Sequence, residues 1–179
     1  MSKGPGRVQR VVLSLIAAEP DGVFTIADLC RHVYPDAAEV AKKHRVSVRY
    51  ALRHMPLPET WRVRRLSRAG SELCLFDPCS DESQTRVRWL EFGRGGQAMM
   101  TYDRWKELFP YLVEQANEAA AYARRRRDAS PVEKLDIQIA DAQQMLGMMK
   151  MAGTDPALMR RDAERLVALQ AERAKLTAA

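Results

Sequence analysis

The sequence predicts a mainly α fold: three short helices and a small β-hairpin, then a helical region ending in an αα-hairpin. Three observations carry that expectation. Apolar residues recur at helical steps of three and four in three separate stretches between residues 8 and 55. Two strand-like runs, 61–66 and 71–76, flank the turn-forming Ser67-Arg68-Ala69-Gly70. Beyond residue 129 apolar positions again alternate steps of three and four, interrupted once by Gly153-Thr154-Asp155-Pro156. These breaks divide the chain into a first domain over 1–79, a linking helical segment over 80–128 and a C-terminal αα-hairpin over 129–179.

In the first helix Val8, Val11, Val12, Leu15 and Ile16 form one stripe, with Arg7 and Arg10 off it. Pro20-Asp21-Gly22 ends it, and Val23-Phe24 suits a brief strand. Thr25-Ile26-Ala27-Asp28 fits a capping box that opens the second helix, whose buried face is Ile26, Leu29, Cys30 and Val33. The third helix starts between Ala37 and Lys42 and runs to Met55, because Pro56 and Pro58 forbid continuation. On its wheel Val40, Val48, Ala51, Leu52 and Met55 share one side, and His44 falls among them as a core histidine. The opposite side carries Lys42, Lys43, Val46, Ser47, Arg49, Tyr50, Arg53 and His54, with Arg45 on the flank.

That helix opens the most charged stretch of the chain. Residues 40–70 hold nine Lys or Arg against the single carboxylate Glu59, a net +8, whereas the whole chain is +6. A merely solvated face mixes both signs; this one is all cationic and is expected to meet nucleic acid. Val46 and Tyr50 sit near its middle, either to touch a thymine methyl or a sugar or to pack on a neighbouring element. In the hairpin, Trp61 and Val63 are expected to face the helices and Arg62 and Arg64 to point away, with Arg65 and Arg68 near the tip.

Helix, short strand, helix, basic helix and basic hairpin is an order that resembles the winged helix-turn-helix DNA-binding domains of bacterial regulators, over residues of about 7–77. The segment AKKHRVSVRYALRHM resembles the recognition-helix region of small winged-helix proteins of proteobacterial genomes and mobile elements. The resemblance implies a third helix in the major groove and a wing on backbone or minor groove. It assigns base reading to Lys43, Val46, Ser47, Arg49, Tyr50 and Arg53, with Lys42 and Arg45 beside them, and backbone contacts to Arg64, Arg65 and Arg68.

After the hairpin, Ser80 can cap a helix over about 81–92, although Thr85–Phe92 is also rich in strand-forming residues. Gly93-Arg94-Gly95-Gly96 forms a joint. Trp105, Leu108, Leu112, Ala116, Ala119 and Ala123 make a further stripe that Pro110 should kink or restart. It ends in Arg124–Arg127, which either touch DNA phosphates or form a solvated helix end favoured by the macrodipole. In the tail, Val132, Leu135, Ile139, Ala142, Leu146 and Met149 form one seam. Met159, Ala163, Leu166, Leu169 and Leu176 form another, interrupted by Arg173. Leu135, Ile139, Leu146, Met149, Leu166 and Leu169 are expected to support dimerisation, since paired modules read paired half-sites. The other arrangement folds this hairpin back on the helix of residues 101–123.

The function expected is a sequence-specific regulator of transcription that binds double-stranded DNA as a homodimer or higher homo-oligomer. The alternative is the small DNA-recognising subunit of a phage packaging or partition assembly. A third reading is a protein adaptor built on the αα-hairpin. An apolar share of 46% with 29% charged residues is ordinary for a soluble domain. Neither a membrane partner nor a secretory signal is expected, which places the chain in the cytoplasm at the nucleoid. Cys30, Cys74 and Cys79 form no CxxC pair, and Cys30 with His32 lacks a second metal-binding pair, so neither disulfide nor metal is expected. No Walker loop, GxSxG, HExxH or dinucleotide fingerprint occurs, so neither an enzyme nor a cofactor is expected.

Overall fold

The computed structural model describes residues 6–66, 72–92 and 100–177. These residues are mainly helical, with eight helices and one small three-stranded antiparallel sheet. Two compact units divide the chain, Met1–Arg124 and Arg125–Ala179. No helix among the described residues is long and apolar enough to cross a membrane.

In the first unit, α1 (Arg7–Ala18) buries Val12 and Ile16 from its apolar stripe. The chain turns at Gly22, whose N–H donates to the Glu19 carbonyl at 2.9 Å. A Cβ at Gly22 would stand 2.9 Å from that same carbonyl oxygen and 2.7 Å from the Phe24 ring, so the turn needs glycine. Strand β1 (Val23–Thr25) follows, then α2 (Ile26–Val33). Its capping box is in place: the Thr25 hydroxyl accepts from Asp28 N–H at 3.2 Å, and Thr25 N–H donates to the Asp28 carboxylate at 3.0 Å. Helix α3 (Lys42–His54) lies beyond residues 34–41, and strands β2 (Arg62–Arg65) and β3 (Leu73–Phe76) follow it.

The brief strand expected at Val23-Phe24 is part of the same sheet as the hairpin, in the order β1-β3-β2. Val23 pairs with Phe76 and Thr25 with Cys74, while Arg62 pairs with Phe76 and Arg65 with Leu73. Alternation along β3 gives the sheet two buried faces. Leu75 lies with Phe24 and Trp61 in the core formed by α1, α2 and α3. Cys74 and Phe76 lie with Leu66 in a second core against α4 (Asp81–Phe92), which contributes Val87 and Leu90. Each fully buried Val or Leu here, such as Val12, Leu29, Val48 and Leu75, contributes about 1.5–3 kcal/mol. Residues 81–92, readable as strand or helix, are helix. Ser80 caps it by accepting from Ser83 N–H at 3.1 Å, and Asp81 and Glu82 suit its positive end.

Short α5 (Tyr102–Leu108) stops at Phe109, and Pro110 opens α6 (Pro110–Asp128) as a fresh helix. The break resets the helical phase and corrects the expected stripe. Leu108 is exposed, and the buried positions of α6 are Leu112, Ala116 and Ala120, not Ala119 and Ala123. Arg124 ties this helix to the start of α4, donating to the Cys79 carbonyl at 2.7 Å and pairing with Asp81 at 3.1 Å.

The second unit contains α7 (Pro131–Met151) and α8 (Pro156–Thr177), packed together as an αα-hairpin. Ser130 and Glu133 form a capping box at its start, with hydrogen bonds of 3.3 and 2.7 Å. Gly153, at φ +65°, supplies the left-handed turn, and Asp155 accepts from Ala157 N–H at 2.8 Å to begin α8. Leu135 and Leu169 are buried within this single chain, and Ile139, Leu146, Met149 and Leu166 are half-buried. The residues expected to dimerise therefore line or border the chain's own helix seam. Met145, Met148, Met151, Leu158, Val167 and Leu176 are exposed. Arg173, the apparent interruption of the stripe, pairs across the hairpin with Asp136.

Candidate nucleic-acid interface

Helix α3 is anchored through one face. Val48, Leu52 and Met55 are buried in the first core, and Ala51 is half-buried. At its N-terminus no side-chain oxygen caps the helix; His44 Nδ1 accepts from Ala41 N–H at 3.3 Å instead. The His44 ring also stacks on Tyr34, with centroids 4.3 Å apart. His44 is thus half-buried and occupied by two local contacts. With the start fixed at Lys42, the helix presents a defined set of residues to solvent.

Lys42, Lys43, Arg45, Val46, Arg49, Tyr50, Arg53 and His54 are exposed, and Ser47 is half-buried. Val46 and Tyr50 are 56% and 67% exposed among the described residues. The Tyr50 ring lies tilted against that of His54, with centroids 4.2 Å apart, and His54 Nδ1–H donates to the Tyr50 carbonyl at 2.8 Å. Among the described residues none of Lys42, Lys43, Arg45, Arg49 and Arg53 pairs with a carboxylate. Desolvation by burial pushes the Cys30 thiol up despite the opposing pull of Arg45 and Arg49, so a neutral thiol lies behind this cationic surface. Cys74, buried in the sheet, is pushed up to about 12 by the same cause.

The β2 arginines behave differently. Arg62 turns back to donate to the carbonyls of Glu59 and Trp61. Arg64, expected to point away and touch backbone, lies on the sheet face that α4 covers. Its guanidinium pairs at 3.1 Å with Glu91, whose side chain is only 1% exposed. Arg88 approaches the same carboxylate at 3.8 Å. Arg65 remains exposed, on the alternate side of the strand, where Trp61 is buried and Val63 is 37% exposed. Arg68 lies outside the described residues, as does the Gly93-Arg94-Gly95-Gly96 joint. The structure therefore brings five cations together on α3, leaves Arg65 available on the sheet edge and commits Arg64 to an internal pair.

Glu91 is the residue that sequence reasoning missed. It stands beside the buried Leu90 on α4 but is separated from Arg64 by twenty-seven positions, so no local spacing links them. A lone carboxylate near the end of the helix, directly after Val87, Trp89 and Leu90, was the one available signal. Of the later arginines, Arg124 is paired as described, and Arg127 pairs with Asp128 at 2.7 Å, holding that carboxyl below its ordinary range. Arg125 is exposed.

No family model, curated protein or solved structure matches this chain.

Proposed function

We propose that the chain is a sequence-specific, double-stranded-DNA-binding regulator of transcription that acts as a dimer. In this reading residues of about 7–77 form a winged helix-turn-helix, α3 enters the major groove, and the β2–β3 pair is the wing on backbone or minor groove. The observation that carries it is the α3 surface: five cations without carboxylate partners among the described residues, surrounding two exposed apolar side chains. Thirteen residues make a helix about 20 Å long, and a single α-helix fits the roughly 12 Å width of the major groove.

Binding should be strongly salt-dependent. If Lys42, Lys43, Arg45, Arg49, Arg53 and Arg65 each displaced one counterion, the log–log salt slope per module would be about −5. Fluorescence anisotropy on a mixed-sequence duplex measures that slope, and selection from a random library then measures specificity. Equal affinity for every sequence would sink the regulatory reading, and no duplex binding at low salt would sink DNA binding altogether.

The hairpin supports the pairing half of the proposal. Two helices can cover a seam from one side only, and Leu146, Met149 and Leu166 stay half-buried while Met145, Met148 and Met151 are exposed. A second hairpin would complete a bundle. Light scattering is expected to give a dimer; a ring of many subunits would favour the packaging or partition assembly.

A further inference from the structure

The solvent side of α3 carries two apolar side chains that a purely electrostatic surface does not need. Val46 and Tyr50 are i and i+4 neighbours on one face, and both are more than half exposed. Lys42, Arg49 and Arg53 flank Val46 on the same arc of the helix. An apolar ridge inside a cationic collar complements a polyanion that presents an apolar group between its phosphates. Phosphate contact alone would leave the ridge hydrated. In the major groove, the apolar group on a base edge is the thymine C5 methyl. Tyr50 is also pre-positioned, because its ring lies against that of His54, tilted by 30°, and the His54 Nδ1–H is held by the Tyr50 carbonyl. Less side-chain freedom is then lost on binding.

We infer that Val46 and Tyr50 form a thymine-methyl contact, which makes α3 select an A·T pair where the centre of the helix meets the groove. The inference rests on the reading of α3 as a duplex-binding helix. Its source of specificity is a methyl group, so it differs from the guanine readout that the neighbouring arginines could supply.

The test uses the full-length chain and duplexes selected from a random library. Each thymine of the selected sequence is replaced singly by deoxyuridine, which removes only the methyl. Affinity is expected to fall about fourfold at one thymine or two, the value of burying one methyl. The Val46→Ala protein should lose that sensitivity; because Val46 is exposed, its thermal unfolding should match that of the parent chain. Unchanged affinity at every thymine, with duplex binding intact, overturns the methyl contact and leaves the duplex-binding reading in place. Absence of all duplex binding overturns both. Tighter binding to single strands than to duplex, lost in Tyr50→Ala, also overturns it, because the ring would then be stacking on unpaired bases.

Discussion

The cations of α3 and those around α4 come from one basic chain and meet opposite fates. Around α4, Arg64 and Arg88 converge on the buried Glu91, Arg86 holds Glu82 at 2.8 Å, and Arg124 holds Asp81. On α3 the cations face water without such partners among the described residues. Both groups look alike as a run of Arg and Lys, yet the first holds elements together and the second is presented. A charge run therefore contains two populations, and only the position of the carboxylates separates them. Strand β2 shows both in two adjacent residues: Arg64 is paired and Arg65 is exposed.

Removing the buried carboxylate tests the structural population, and it should have the largest effect. Breaking a buried pair from one side costs about 3–5 kcal/mol. Arg64 and Arg88 retain 40% and 28% side-chain exposure and can regain water. Glu91→Ala is therefore expected near the lower end, about 3 kcal/mol by urea denaturation. A loss under about 1 kcal/mol would place Glu91 among ordinary surface pairs and break the distinction.

The presented population is tested by the converse pattern. Arg49→Ala should leave the urea midpoint unchanged and weaken specific DNA binding by about 1–3 kcal/mol, measured by anisotropy on the selected duplex. The two β2 arginines sharpen the comparison further. Arg65→Ala should reduce the magnitude of the salt slope by about 1. Arg64→Met should leave that slope alone and lower stability, because it removes the 3.1 Å guanidinium partner of the buried Glu91 and leaves Arg88 at 3.8 Å. A slope that changes equally in both variants would return Arg64 to the DNA-facing set.

These outcomes bear on how far the residues alone could be read. Local rules located α1, the Thr25–Asp28 capping box, a break at Pro110 and the hairpin turn at Gly153, because each depends on neighbours within four positions. The exposed side of α3 was legible for the same reason: the helical period sorts its apolar anchor and its cations onto opposite sides. What escaped was non-local. Pairing of β1 with β3 joins Val23 to Phe76, and the α4 cover over the sheet joins Arg64 to Glu91 across twenty-seven positions. Neither leaves a periodic trace. The seam residues of the tail were legible as apolar, but a seam within one chain and a seam between two chains share the same spacing.

The smallest effect concerns acid. In the second unit Glu133 accepts from the Ser130 backbone N–H and, with the Ser130 hydroxyl nearby, is held below its ordinary value of 4.5. A carboxyl whose folded-state value is depressed contributes stability that is fully present above the unfolded value and lost as pH falls through the folded one. The first turn of α7 should therefore loosen only below about pH 4.5, and Glu133→Gln should remove that acid step while keeping an acceptor in the cap. Asp128, held low by Arg127, adds a step of the same sign at the end of α6. The middle of α3, from Arg49 to Arg53, has no paired carboxylate among the described residues, so it lacks this source of acid sensitivity. Amide exchange across the acid range separates the two. A step at residues 131–134 without a matching step at 49–53 supports the division between paired and presented charge. A matching step at 49–53 would mean that the α3 cations lean on a carboxylate after all.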